Sequence, residues 1–198
     1  MRLGTLVAPI LLAATFLIPS ASQAQDSKKH HEDSFVPGPE SDSRIAKEVR
    51  HQLIMLPFYS IFDDLGFMVN GGTVTLEGAV VRPTLKSDAE NVTKRVEGVT
   101  NVINNIEVLP LSPMDNQIRA AEARTIYGNA QIGTRYGNQA LPPIHIIVKN
   151  GHVTLEGVVA NDFDKNFIGI RANSVPNVFS VTNNLVVENS GNNKKNSK

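Results

Sequence analysis

Val74-Thr75-Leu76-Glu77-Gly78 returns unchanged as Val153-Thr154-Leu155-Glu156-Gly157, 79 residues later. The same spacing pairs Gly72 with Gly151, Val80 with Val159, Val96 with Val175 and Val102 with Val181. It goes on to pair Asn104-Asn105 with Asn183-Asn184 and Val108 with Val187. One offset held over this distance means that the segments between the matches have equal length. The chain is therefore a duplicated module, and whatever one copy folds into, the other does too.

The pentapeptide reads as a strand. Val74 and Leu76 alternate with Thr73, Thr75 and Glu77, which puts the apolar residues on one face. Before it, Leu65, Phe67 and Val69 alternate with Gly66 and Met68, and Asn70-Gly71-Gly72 supplies the turn. Copy two repeats this with Ile144, Ile146 and Val148, the turn Asn150-Gly151, and Val153 and Leu155.

Helices flank the hairpin. Ile45, Val49, Leu53 and Leu56 form an apolar stripe that Pro57 stops, with Ser41 or Asp42 as N-cap. Leu85, Ala89, Val92 and Val96 form a second stripe, begun by Pro83 and ended by Gly98. Val102, Ile106 and Val108 make the last strand. In copy two the first helix is weaker, from Ile118 through Ile126. Asp162 to Val175 is the second helix, and Val181, Leu185 and Val187 are the last strand.

The expected fold is α+β. It has two tandem small modules, each helix-strand-strand-helix-strand, with a three-stranded mixed sheet covered by two helices. Residues 42–110 and 115–189 hold the modules. At this size each is near the lower limit for an independent core without disulfides, so packing of one on the other would help both. The offset is only 73 between Ile45 and Ile118, so copy two carries about six extra residues in Gly128–Pro143.

The ends differ in character. Leu6–Ile18 is an uncharged apolar run after Arg2, and Ser22-Gln23-Ala24 offers small residues at the −3 and −1 positions. Residues 1–24 read as a cleaved secretory signal, with a run too short to span a bilayer. Polar residues 25–41, ending in Pro37-Gly38-Pro39, read as a disordered tether, and 190–198 as a disordered tail. A periplasmic or secreted location follows. The chain has no cysteine, which excludes disulfides and thiol chemistry.

Nineteen bases balance nineteen acids. That near-neutrality argues against a nucleic-acid partner, which needs a strong basic surplus. Residues 42–110 carry seven bases and nine acids, and 115–189 six and six, so neither copy is a polybasic lipid binder.

The order Asn-Gly-x-Val-Thr-Leu-x-Gly, helix, Val-x-x-Val-x-Asn-x-Leu/Ile-x-Val resembles the BON domain. Gly71–Gly78, Val99, Val102, Asn104, Ile106 and Val108 carry it in copy one. Asn150–Gly157, Val178, Val181, Asn183, Leu185 and Val187 carry it in copy two. The resemblance implies a phospholipid or envelope-protein partner and a role in envelope integrity or stress response. Copy two departs from the pattern at Pro176-Asn177, where copy one has Glu97-Gly98.

No residue set specifies a reaction, a cofactor or a metal. His51, His145 and His152 stand alone, and His30-His31 lie in the tether. Glu77 and Glu156 occupy equivalent solvent-side positions on separate repeats, not one pocket. Asn104 and Asn183 share parity with apolar neighbours, so each should bond backbone as a structural residue. Gly72, Gly151, Gly78 and Gly157 are structural turn and strand-end residues.

Two stretches remain for a lipid surface. Phe58, Tyr59, Ile61 and Phe62 follow Pro57, where closure of the first core by Phe58 and Phe62 is the favoured use, since a small module needs such plugs. Arg135, Tyr136 and Leu141 lie in the copy-two insertion. An exposed loop there would offer one guanidinium for phosphate and two apolar groups for the headgroup boundary. The competing reading of the whole chain is a protein-interaction or stress-protective module without lipid binding.

Overall fold

The computed structural model describes residues 32–33 and 44–188. The expected signal segment and tail lie outside them, as does most of the expected tether.

Module one opens with α1 (Arg44–Ile54), which buries Ala46, Val49 and Leu53. β2 (Asp64–Asn70) and β3 (Thr73–Val80) form an antiparallel hairpin with Asn70 opposite Thr73. Its two-residue loop, Gly71-Gly72, has positive φ at both positions, the geometry that matches strand twist. α2 (Pro83–Lys94) crosses back and buries Leu85, Ala89 and Thr93. The last strand then pairs parallel with β3 in two pieces, β4 (Asn101–Asn104) and β5 (Glu107–Val108).

Module two repeats the plan. α3 (Pro113–Tyr127) is followed by the antiparallel hairpin β6 (Ile144–Lys149) and β7 (His152–Val159). Asn150 and Gly151 both have positive φ in its turn. α5 (Asp162–Asn173) leads to β8 (Ser180–Asn183) and β9 (Val186–Val187), both parallel to β7. One element has no counterpart: α4 (Ala130–Tyr136) occupies the expected loop.

Each module has its own core. The first gathers Val49, Leu53, Leu65, Phe67, Leu76 and Leu85. The second gathers Ile118, Ile126, Ile132, Ile146, Leu155 and Ile168. Leu76 and Leu155 are both fully buried, as the alternation of the pentapeptide requires.

Asn104 and Asn183 break the last strand in the same way. Asn104 donates to the Lys86 carbonyl at 3.0 Å and accepts from its own strand at Ile106 N, 3.2 Å. Asn183 donates to the Lys165 carbonyl at 2.8 Å and accepts from Leu185 N at 3.2 Å. Each amide thus ties the strand to the second helix and covers the gap in the ladder. Gly78 and Gly157 both sit at φ 113°. A Cβ there would lie 2.4 Å from the Asp64 carbonyl oxygen and 1.9 Å from that of Pro143. No other residue fits.

Both hairpins have their outer edge covered at equivalent positions. Glu32–Asp33, designated β1, pairs antiparallel with Phe67 and Gly66 of β2. These residues fall in the expected tether. The edge of β6 is covered by module one itself.

Candidate functional site

The junction between the modules holds several polar groups that could be mistaken for a reactive centre. Pro57 ends α1, and the chain turns through Phe58, whose φ is 69°. Asp63, nearly fully buried, pins the following loop. One carboxylate oxygen accepts from Val81 N at 2.7 Å, and the other from Ser60 N and Oγ at 3.1 and 2.7 Å. The loop's carbonyls then point at module two. That of Ile61 accepts from Ile146 N at 2.7 Å, and that of Asp63 from His145 Nδ1 at 2.6 Å. The Tyr59 ring stacks on His145 with centroids 5.6 Å apart.

Phe58 and Phe62 do not close the first core as expected: Phe62 packs with Ile61 against the second core, Phe58 is exposed, and it is Tyr59 that packs against the first. Only Phe58 of the four points outward, 66% exposed beneath the Arg82 guanidinium at 4.7 Å. An ion pair between Lys149 and Glu107, 2.6 Å, spans the junction's half-exposed rim. Burial lowers the His145 pKa to about 4, against the raising effect of the backbone carbonyls it bonds. The ring is therefore neutral at pH 7, and donation from Nδ1 fixes its tautomer.

The Gly128–Pro143 expectation is corrected. Asn129 caps α4 by accepting from Gln131 N and Ile132 N, and Ile132 and Tyr136 turn inward. Tyr136 is only 5% exposed, so its ring is not available to a headgroup. Its hydroxyl donates to Asp164 Oδ2 at 2.6 Å and accepts from Ala160 N at 2.9 Å. Arg135 stays near the surface, with its guanidinium paired to buried Asp164. That pairing raises the arginine pKa further, while burial pushes the Tyr136 hydroxyl up. Leu141 is half-buried. Ala160 is the counterpart of Val81, so the two modules satisfy the same backbone N–H differently. Module one uses Asp63, and module two uses Tyr136.

The first helix of module two has also diverged inside. The offset of 73 places Arg119 where module one has Ala46, and Glu122 where it has Val49. Arg119 donates to the Val148 carbonyl and to Asn116 Oδ1, both at 2.6 Å. Burial lowers its pKa, with Asp115 and Asp63 acting in the opposite sense. Glu122 is fully buried, and neither carboxyl oxygen has a partner among the described residues. Burial raises its pKa to about 8. Asp115 accepts from Asn150 N and Gly151 N, at 2.9 and 2.8 Å, and so holds the second hairpin turn. The sequence reading singled out none of these three. The available signal was a charged residue where the first copy has an apolar one, Glu122 for Val49 and Arg119 for Ala46; Asp115, aligned with Asp42, gave none.

The remaining sequence candidates do not converge. Glu156 accepts from Asn184 Nδ2 at 2.6 Å on an exposed sheet face. His152 lies exposed beside Ser180 Oγ at 2.7 Å. Among the described residues, no group of three or more His, Asp or Glu could hold a metal, and no helix is long and apolar enough to cross a membrane. A shallow groove of about 560 Å³ runs beside α4, lined by Ile61, Ala123, Tyr127, Gly133, Thr134 and Pro142.

The family model for the BON domain matches residues 41–110 and 130–189. The chain belongs to the BON domain family. The second BON match omits α3, the helix that carries Arg119 and Glu122. BON domains are non-catalytic binding modules associated with membrane and phospholipid binding. No curated protein matches the chain. Two solved structures of CdsD, a structural protein of the type III secretion system of Chlamydia trachomatis, are similar to it. One shares 15% identity over 71% of this chain and 90% of that one, with a TM-score of 0.27. The other, the CdsD C-terminal domain, shares 14% over 73% and 97%, with a TM-score of 0.29. Scores this low carry no argument about function.

Proposed function

We propose that this tandem BON protein is an exported, envelope-associated binding module that contacts a phospholipid surface and supports envelope integrity or the stress response. The observation that carries the reading is the use made of the buried polar groups. Asp63, Asp115, Asn183, Tyr136 and Asp164 each bond backbone or fix a neighbouring loop. Such groups build a rigid scaffold and leave no acid, base and nucleophile facing one space. Binding is then the work of exterior faces. Export is supported by the uncharged run Leu6–Ile18 and by Ser22-Gln23-Ala24.

The test is co-sedimentation of the mature protein with phosphatidylcholine vesicles, with and without phosphatidylglycerol. Partition into the pellet is the expected result. Protein that stays in the supernatant with every vesicle would move the assignment to a protein-interaction module.

A further inference from the structure

The two repeats serve as controls for each other. The hairpins match inside, strand for strand, whereas the helices have diverged. One difference lies on the exterior of the second helix. Phe163, Phe167 and Ile170 follow at spacings of four and three on α5, which places them on one helical face. Phe163 is 63% exposed and Ile170 70%. Phe167 is half-buried, and its ring lies 6.0 Å from that of Phe163 with the planes 13° apart. The opposite face of α5 buries Asp164, Ile168, Gly169 and Ala172 in the module. The helix is therefore apolar on both sides: folding uses one of them and, on the other, the inner edge of Phe167, leaving Phe163 and Ile170 outside the core.

The positions 79 residues earlier, on α2, are Thr84, Asp88 and Asn91. Module one folds with those polar residues on the same face, so nothing in the fold requires the apolar set. The exposure of Phe163 and Ile170 costs solubility without stabilising the core, which marks a contact surface.

We infer that the Phe163–Phe167–Ile170 face of α5 is where this protein lies on a phospholipid bilayer. The inference rests on the phospholipid reading above and gives it a location. Charge selects the occupant. At 100° per residue, Arg171 stands about 70° from the midline of the stripe, while Asp162 is about 110° away on the other side. Rings in the acyl boundary with a guanidinium beside them, level with phosphate, form an interfacial amphipathic surface. Module one meets its partner through the edge of β6, whereas α5 packs on β7, β8 and α3, so the junction leaves the stripe free. With six bases and six acids in module two, attachment comes mainly from apolar insertion. Affinity should change less than threefold between low and physiological salt.

The experiment grafts module one's own residues onto module two: Phe163→Thr, Phe167→Asp and Ile170→Asn in the full mature chain. Phe163→Ser with Ile170→Ser is a second variant that leaves the half-buried Phe167 in place. Circular dichroism and melting temperature establish folding, and partition onto phosphatidylcholine–phosphatidylglycerol vesicles is the readout. The expected result is at least a tenfold loss of partition in folded variants. Wild-type partition by the folded double variant would overturn the stripe and leave the phospholipid reading intact. Failure of the wild type to bind any vesicle would overturn both. Light scattering provides the remaining outcome: a wild-type dimer that the double variant makes monomeric would assign the face to a second copy and overturn the lipid inference.

Discussion

Replacing Glu122 with valine, the residue that module one carries at the equivalent position, should stabilise the protein, and more so at high pH. Glu122 is fully buried without a partner for either oxygen among the described residues. Its pKa rises from 4.5 to about 8 through burial. A native state that holds a proton the unfolded chain gives up loses stability as pH climbs from 4.5 toward 8, and the loss levels off above that. At about 1.4 kcal/mol per pH unit, the penalty is roughly 1 kcal/mol at pH 5 and about 4 kcal/mol at pH 8. Glu122→Val removes that difference of about 3 kcal/mol. It also removes about 1–3 kcal/mol for the unsatisfied carboxyl at every pH. The assay is thermal unfolding of both proteins at pH 5 and pH 8, where each kcal/mol moves the midpoint about 2–4 °C in a chain of this size. The variant's advantage should be about 6–12 °C larger at pH 8. Glu122→Gln, equal in shape, should also lose the pH dependence. An equal advantage at both pH values, or destabilisation by valine, would refute the picture of a buried unpaired acid.

Three further outcomes follow from the same geometry. His145 has a pKa lowered from 6.5 to about 4, so its contribution is present above pH 6.5 and is lost as pH falls through about 4. His145→Asn should flatten the acid side of the stability curve by about 3 kcal/mol in urea melts, and an unchanged acid limb would count against a neutral buried ring. Asn183→Ala strips partners from the Lys165 carbonyl and Leu185 N, and should cost about 1–3 kcal/mol by urea denaturation, with Asn104→Ala similar. Tyr136→Phe leaves Ala160 N without its acceptor and Asp164 with one donor fewer. It should lower stability by about 2–3 kcal/mol while sparing vesicle binding, as read by melting temperature and co-sedimentation.

The fold was largely legible because the chain states it twice. The alternation around Leu76 and Leu155, the turn glycines and the repeated asparagines each rest on local geometry of period two or a two-residue loop. What lies between Gly128 and Pro143 was not legible. Gly128, Gly133 and Gly137 depress helix propensity, and the segment reads as loop. The Asn129 cap with Ile132 and Tyr136 four apart was the signal that outweighs them. The roles of Tyr59 and Ile61 were beyond local reading, because their partners His145 and Ile146 lie more than eighty residues away, and Phe62 packs on the core of the other module. The α5 stripe was readable by aligning the copies and asking where an exterior position turns apolar. Periodicity alone does not reveal it, since α5 is apolar on two faces.

The clasp at Ile61 has a consequence for how such proteins can be cut and recombined. By sequence, Tyr59–Asp63 belongs to the first repeat; by packing, its Ile61 and Phe62 complete the second, while Tyr59 and Asp63 serve both. The unit that was copied and the unit that holds together are offset by one loop. A fragment that begins at the linker before α3 would inherit a bare β6 edge, a His145 ring without its stacking partner and an uncovered flank of its core. Exposed edges of that kind invite strand pairing between molecules. A gene rearrangement at the linker would therefore yield a sticky orphan, whereas one that carried the clasp along would not. Once the second copy came to lean on the first, the pair became a single heritable part.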